Sequence, residues 1–130
     1  MKTMLEIIRN VLEEICERCH EHIKCCILFR EDGFIIQSIT PLFKNIEDRV
    51  IAAVMATILT PSMKLCKNIG IGEFTTILIE GIDERVLIRR VKRTSNKDIY
   101  LGILTTTEAN LGLLLIEIEK VVEKLRKVIS

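Results

Sequence analysis

Hydrophobic residues are most continuous between Val50 and Leu59, where the hydroxyl of Thr57 is the one polar side-chain group. A helix on the surface of a small domain carries polar residues over about half of its circumference. The alanine, methionine and leucine content of this stretch favours helix over strand. Because one small domain can cover one side of such a helix, its outer side needs another apolar surface, most economically a second copy of the chain. We therefore predict a central helix at a subunit interface.

Two further helices are predicted where apolar residues recur at every third or fourth position. The first starts at Thr3 and Glu6, which have the spacing of a capping box, and ends at about Arg18. The last begins at about Glu108, with one threonine of the Thr106–Thr107 pair as its cap. Each of these helices has a single apolar stripe, so each should cover one face of a core.

Pro61 lies in the path of the central helix, which is expected to continue toward Ile69. Proline lacks an amide donor and clashes with the preceding turn. Either the helix kinks there, or it ends and Thr60 caps a second helix that has Pro61 in its first turn. Gly70 and Gly72 should end the segment in both cases.

Five strands are predicted from the apolar runs that lie between these helices. Asp32-Gly33 between the first two runs is a strong hairpin signal, because glycine tolerates the positive φ of a tight turn. The last three strands form a meander. The predicted strands are Ile23 to Arg30, Phe34 to Ile39, Phe74 to Glu80, Arg85 to Arg93 and Tyr100 to Thr105.

The element order is helix, two strands, helix, three strands, helix, which predicts one α+β domain over residues 1–130. Its five-stranded antiparallel sheet should carry helices on both faces, the first and last helix on one face and the central helix on the other. Composition agrees with one globular domain, since 48% of the residues are hydrophobic and 28% are charged. No apolar run approaches the roughly 20 residues of a bilayer-spanning helix, and no signal peptide is evident, so a cytoplasmic location is expected.

Metal chemistry has one candidate stretch, Cys16–Cys26, in which a CxxC is followed by histidines and further cysteines. Cys25 and Cys26 are adjacent in a strand and point to opposite faces, so they cannot both bind one ion. Alternation predicts that Cys26 shares a face with Leu28 and Cys25 with Ile23. We interpret the cysteines as free thiols that fill the core. The alternative is a metal or redox site; its metal candidates are Cys16, Cys19, His20 and His22.

Four basic residues lie close together in the fourth strand: Arg89, Arg90, Lys92 and Arg93. Alternation predicts Arg89 and Arg93 on one face and Arg90 and Lys92 on the other. The formal net charge is +1 and no aromatic residue stands beside these cations to stack on bases, so we predict a solvated strand end and no nucleic-acid binding. Neither GxxxxGK followed by Ser or Thr nor GxGxxG is present, and no serine has a nucleophile-elbow context. We predict a non-enzyme without a cofactor.

The chain resembles the roadblock family of dynein light chains and prokaryotic GTPase regulators. The resemblance rests on the element order, the Asp32-Gly33 hairpin, the Gly70-Ile71-Gly72 link and the segment Ala109-Asn110-Leu111-Gly112-Leu113. It covers almost the whole chain and implies a profilin-like sandwich that homodimerises through the central helix and the following edge strand, giving a ten-stranded sheet. Family members are non-catalytic platforms for small Ras-like GTPases, or adaptors in motor and signalling assemblies. Pro61 and Cys16–Cys26 depart from the family pattern.

The apolar pattern and this resemblance together predict a site. The dimer interface is expected at Val50, Ile51, Val54, Met55, Ile58, Phe74, Thr76 and Leu78. The resemblance implies a partner surface across the paired central helices, with a charged rim at Lys44, Glu47, Asp48, Arg49, Lys64 and Lys67. The predicted function is a non-catalytic homodimeric module that binds and regulates or scaffolds a small Ras-like GTPase. The alternative is a metal- or redox-responsive regulator that uses the Cys16–Cys26 cluster.

Overall fold

The computed structural model describes residues 1–19, 22–40, 47–94 and 97–129. The elements are α1 (Met4–Arg18), β1 (Ile23–Arg30), β2 (Ile35–Ile39), α2 (Asp48–Thr57), α3 (Leu59–Ile69), β3 (Thr76–Glu80), β4 (Glu84–Lys92), β5 (Ile99–Thr106) and α4 (Leu111–Val128). The five strands form one antiparallel sheet in the order β2-β1-β5-β4-β3. This confirms the predicted α+β fold with its five-stranded sheet.

Both faces of the sheet are covered by helices, as the single-stripe and all-apolar patterns predict. On one face α1 and α4 bury residues such as Leu12 and Val122 against the sheet. On the other face α2 and α3 contribute Ala52, Met55 and Leu59 to a second apolar cluster. The sheet is therefore the middle layer of a three-layer sandwich.

Gly102 in β5 marks the point where α2 comes closest to the sheet. A Cβ at this position would lie 3.1 Å from Phe29 Cε1 and 3.2 Å from Met55 Cε, with Met55 Sδ closer still. Glycine leaves the space that the methionine side chain fills. Met55 is consequently 5% exposed and fixes α2 on this face.

The helix starts agree with the sequence at one end of the chain and differ at the other. Thr3 caps α1 as predicted, because its hydroxyl accepts the Glu6 amide at 3.2 Å. The predicted cap of α4 is wrong. Asn110 caps this helix and accepts the Leu113 amide at 3.0 Å, because β5 continues through Thr106 and delays the start of the helix.

The central helix breaks at Ile58, and Pro61 lies in the first turn of α3. Thr60 is not the cap, since α3 begins at Leu59 and Ile58 occupies the cap position without a side-chain hydrogen bond. The Ser62 hydroxyl donates to the Ile58 carbonyl at 2.7 Å and the Thr57 hydroxyl to the Val54 carbonyl at 2.6 Å. These bonds satisfy carbonyls around a break at which proline supplies no amide.

Gly70 ends α3 with φ of 73°, as predicted. The helical span Asp48–Ile69 has 22 residues, and an 18-residue window within it has a mean hydropathy of 1.4, so by length and composition it could cross a membrane. A helix that packs against the sheet of its own domain can have the same length and hydropathy. Here Ala52, Met55, Leu59 and Cys66 are buried on one side of the span.

Register shifts in two strands overturn the predicted side-chain faces. In β1 the shift between Ile23 and Cys25 puts Ile23 on the α1/α4 face, together with Cys26 and Leu28. Cys25 packs with Ile27 on the opposite face. The prediction for Cys26 and Leu28 is confirmed, and the prediction that Cys25 shares a face with Ile23 is wrong because the irregularity breaks the alternation.

The second shift lies between Arg90 and Lys92 in β4. Lys92 consequently reaches α4, where its Nζ donates to the Ile129 carbonyl at 3.4 Å. Arg93 instead joins Arg90, because both guanidinium groups pair with Glu73. The predicted pairs, Arg89 with Arg93 and Arg90 with Lys92, are therefore wrong.

Candidate interaction surface

An apolar groove of about 200 Å³ lies between α2 and the sheet. Its walls are entirely hydrophobic side chains of α2, β4 and β5. We call it the α2 groove; it is lined by Val50, Ile51, Val54, Met55, Val86 and Leu104. A solvated apolar groove is typical of a surface that another protein covers.

One side of α2 faces the sheet and the other faces outward. Met55 packs on the sheet and Ile51 is partly buried, whereas Val50 and Val54 are 46% and 61% exposed. Ile58 is partly buried at the helix break. The stripe of Val50 and Val54 is therefore the one that remains available to a partner, and the stripe of Ile51 and Met55 faces the sheet.

The outward apolar stripe continues along α3, which the sequence prediction missed. Pro61, Leu65 and Ile69 follow Val54 and Ile58 at intervals of three and four residues, so they lie on one side of the helical path. Leu65 and Ile69 are each 60% exposed. The periodicity beyond Pro61 was the signal that could have extended the predicted interface.

β3 forms one edge of the sheet and pairs with β4 alone. Leu78 and Ile79 on this strand are 43% and 48% exposed. Ile79 lies opposite Val86 and so belongs to the side of the α2 groove, while Leu78 lies opposite Leu87 on the α4 side. The free edge and the α2 groove thus adjoin one another.

The opposite edge of the sheet, β2, is covered by α1. The Gln37 side-chain amide donates to the Leu5 carbonyl at 3.2 Å, and Arg9 Nη1 donates to the Ser38 carbonyl at 3.4 Å. The second contact occupies a backbone carbonyl of β2, so it hinders the approach of another strand at that point. Within the part of the chain that the structure describes, β3 is therefore the edge open to strand pairing.

The remaining residues of the predicted dimer interface occupy different environments. Phe74 precedes β3, is 8% exposed and stacks on Tyr100 with ring centroids 6.2 Å apart. Thr76 opens β3 and pairs with Arg89 on the α4 side. Phe74 is therefore a core residue next to the start of the edge strand, while Thr76 and Leu78 lie on the edge strand itself.

The charged rim divides into two groups. Glu47 and Arg49 form an ion pair at 2.5 Å at the start of α2, and Asp48 accepts the Ser38 hydroxyl and the Arg49 amide. Lys64 and Lys67 are exposed on α3. At about 1.5 Å per helical residue the two groups are separated by roughly 25 Å along the helical path, which breaks at Ile58. Lys44 lies outside the described residues.

The cysteine cluster is mostly buried. Cys16 and Cys26 lie side by side between α1 and β1, where hydrogen bonding between the two thiols and burial raise the pKa of Cys26 and the hydrogen bond lowers that of Cys16. Burial raises the pKa of Cys25 to about 11, on the opposite face. Zinc binds thiolates, and the raised pKa values of Cys25 and Cys26 disfavour the thiolate at these two positions.

Two of the other metal candidates, Cys19 and His22, lie within the described residues and line one cavity. Cys19 is partly buried, and His22 Nδ1 lies 3.1 Å from Thr106 Oγ1; His20 lies outside the described residues. Within residues 1–19, 22–40, 47–94 and 97–129, no group of three or more histidine, cysteine or acidic side chains is arranged to hold a metal ion.

Arg85 connects the free edge to the segment that opens α4. Its side chain is 7% exposed, and its guanidinium donates to Glu80 at 3.0 Å and to the Ala109 carbonyl at 3.1 Å. A longer bond of 3.5 Å reaches the Thr107 carbonyl. The buried charge thus has partners on both sides and holds the β3–β4 hairpin against the Ala-Asn-Leu-Gly-Leu segment.

A five-stranded antiparallel sheet with an α2 helix beside a free edge strand places the protein among profilin-like α+β domains. The chain belongs to the Roadblock/LC7 domain family, whose model matches residues 13–105. This confirms the resemblance inferred from the sequence. No curated protein sequence matches the chain.

Solved structures share the fold at low sequence identity. The structure described as MglB with tetrameric arrangement is 18% identical, with a TM-score of 0.86 over 98% of this chain and 91% of its own. Myxococcus xanthus MglB is 21% identical, with a TM-score of 0.83 over 99% of this chain and 92% of its own. A Roadblock/LC7 domain from Streptomyces avermitilis is 15% identical, with a TM-score of 0.80 over 92% of this chain and 94% of its own.

Proposed function

We propose that this protein is a non-catalytic homodimeric module that binds a small Ras-like GTPase and regulates or scaffolds it. The observation that carries the dimer is the position of the α2 groove directly beside the free edge of β3. A second copy placed on this side covers the groove and pairs with the edge at once. The partner class rests on membership of the Roadblock/LC7 domain family.

With a twofold axis beside β3, a single surface of the chain is enough to form the dimer, because both copies contribute the same residues. In an isologous dimer the same patch meets itself, so β3 pairs with β3 of the partner and the two sheets become one of ten strands. The outward stripes of the two central helices then lie against each other. Because α1 covers β2, the second edge stays closed and the assembly ends at two chains through this contact.

The GTPase is proposed to bind across the paired helices, through exposed residues of α2 and α3 that lie beside the outward stripe and stay uncovered in the dimer. Apolar side chains at the centre of an interface carry most of its affinity, and rim charges set encounter rate and partner choice. Lys64 and Lys67 are suited to that second role because both are exposed. Asp48 is less suitable, since it already accepts hydrogen bonds from Ser38 and Arg49 within its own chain.

Two measurements test the proposal. Light scattering after size exclusion should give twice the mass of 14.9 kDa or a multiple of that dimer, and a monomer at micromolar concentration would refute it. Ras-like GTPases from the source cell, loaded with GDP or a GTP analogue, are then tested for capture and for hydrolysis rate. Faster hydrolysis indicates regulation, and binding at an unchanged rate indicates a scaffold.

A matched pair of variants tests the surface. Lys64→Glu combined with Lys67→Glu should weaken capture, whereas Lys120→Glu combined with Lys127→Glu reverses two charges on α4 and should leave it unchanged. Both proteins should keep the mass of the unmodified chain. Equal capture of the GTPase by the two variants would contradict this binding surface but would not bear on the proposed dimer.

A further inference from the structure

Arginine side chains from β4 converge on a cleft at the end of α3, away from the α2 groove. The cleft has a volume of about 360 Å³ and is lined by Met63, Lys67, Gly72, Glu73, Arg90 and Arg93. A second cavity of about 350 Å³ lies on the other side of Glu73, where Arg89 and Arg126 add to its wall. Glu73 thus stands between two spaces that are both bordered by cations.

Arg90 is the fixed element of this cleft. Its side chain is 11% exposed, and its guanidinium lies 5.0 Å from the ring centroid of Phe74 and 5.7 Å from that of Tyr100. Stacking on two rings holds the planar group in place before any ligand arrives. Its buried Nε has no hydrogen-bond acceptor among the described residues. Because arginine stays protonated, the positive charge is permanent.

Arg93 and Lys67 supply the mobile charges. The register shift in β4 turns Arg93 to the side of Arg90, and its side chain remains 61% exposed. Lys67 extends from α3 on the opposite wall and is exposed. Glu73 is the one carboxylate among the described residues that line the cleft, and Asp98 lies 3.9 Å from Arg93 Nε outside its wall. The three cations therefore exceed these two acidic charges by one, and by two when Glu73 turns away.

The Glu73 carboxylate already binds the guanidinium groups of Arg90 and Arg93, as an anionic ligand would. One of its oxygens accepts from Arg90 Nη1 at 3.0 Å and the other accepts from Arg93 Nη2. Its side chain is 59% exposed and is therefore free to swing into water. A stronger anion can displace it without unfolding any element.

We propose that this cleft binds a phosphate group, either free phosphate or the phosphate of a nucleotide, in competition with Glu73. A phosphate monoester carries a charge of about −1.5 to −2 at neutral pH, which balances the excess in the cleft better than one carboxylate does. The forked donors of two arginines match its oxygens, and Lys67 adds a point charge. This inference does not depend on the dimer; the cleft shares Lys67 with the proposed GTPase surface, so its tests leave Lys67 unchanged.

Calorimetric titration at low ionic strength tests the site with three solutes: inorganic phosphate, a nucleoside monophosphate and the bare nucleoside. Saturable binding of both phosphates and none of the nucleoside is expected. Equal affinities assign the site to the phosphate group alone, and tighter binding of the monophosphate assigns it to a nucleotide. No saturable binding of either phosphate at millimolar concentration would overturn the proposal.

Two variants with opposite expected signs and one control make the test specific. Arg93→Gln removes an exposed donor and should weaken phosphate binding by about tenfold or more. Glu73→Gln removes the competing charge and should tighten it. Arg49→Gln makes the same change as the first variant at a 78% exposed arginine on α2 and should have no effect. Weaker binding by Glu73→Gln, or equal weakening by both arginine variants, would refute a defined site.

Discussion

Val54→Glu is the sharpest test of the proposed dimer. Val54 is 61% exposed at the rim of the α2 groove, so a glutamate there remains solvated in a single chain. Surface substitutions of this kind change the free energy of unfolding by about 0.5 kcal/mol or less. In the dimer the same carboxylate would enter an apolar contact without a counter-charge. The variant should therefore fold normally and fail to associate.

The size of the effect follows from two contributions. Full burial of a valine is worth roughly 1.5–3 kcal/mol, so burying the exposed part of Val54 contributes about 1–2 kcal/mol per chain. An unpaired buried charge costs roughly 3–5 kcal/mol. Because a twofold interface contains the residue twice, the total loss is at least about 8 kcal/mol, which is about a 10⁶-fold weaker dimer at roughly 1.4 kcal/mol per tenfold change.

Sedimentation equilibrium over a concentration series measures this loss, and chemical unfolding checks the fold. Ile116→Glu introduces the same charge at a 56% exposed position on α4 and should leave the mass unchanged. Met55→Glu is unsuitable, because Met55 is 5% exposed on the sheet and a charge there should unfold the chain itself. A Val54→Glu protein that remains dimeric with the affinity of the unmodified chain would refute the proposed interface.

Three further predictions concern the fold that supports these surfaces. Gly33→Ala should lower the free energy of unfolding by at least about 1–2 kcal/mol in denaturant titrations. The reason is that Gly33 has φ of 89° and that an added Cβ would lie 3.3 Å from Ala53 Cα. Unchanged stability would contradict the tight approach of this turn to α2. Arg85→Met should cost about 1–3 kcal/mol of stability and speed hydrogen exchange at the start of α4, since the Ala109 carbonyl loses its buried donor. A loss below about 0.5 kcal/mol would mean that the bonds contribute little. Raising the pH from 9 to 11 should lower the free energy of unfolding, because burial raises the pKa of the Cys25 thiol from 9.0 to about 11. The thiol therefore keeps its proton in the folded chain at a pH where the unfolded chain releases it. The Cys25→Ala variant should lose less stability over this range, and an identical pH profile in the variant would contradict the prediction.

Removal of metal offers a separate test of the cysteine cluster. Because structural zinc would contribute to folding free energy, a chelator should lower the melting temperature if the cluster holds zinc. We expect no change, together with no zinc by elemental analysis. About one equivalent of zinc per chain, lost together with the folded structure, would favour the metal-responsive alternative.

Much of the architecture was determined by local pattern in the sequence. The three-to-four-residue period of α1, the Asp32-Gly33 turn and the αL glycine at position 70 each act over a few residues, and the structure has each where the sequence predicts it. The all-apolar stretch likewise predicted a helix at this place, and the structure has α2 there with one side on the sheet. Which stripe faces the sheet depended on Gly102, about fifty residues away in the chain, whose missing Cβ admits Met55.

Only the tertiary structure decided the side-chain faces in β1 and β4. Strict alternation holds while two strands stay in register, and the shifts between Ile23 and Cys25 and between Arg90 and Lys92 arise from pairing with β5. The cap of α4 was decided in the same way, because β5 extends to Thr106 and Arg85 binds the Ala109 carbonyl. Pairing register and close approach between distant segments are properties of the packed sheet, so no local pattern in the chain encodes them.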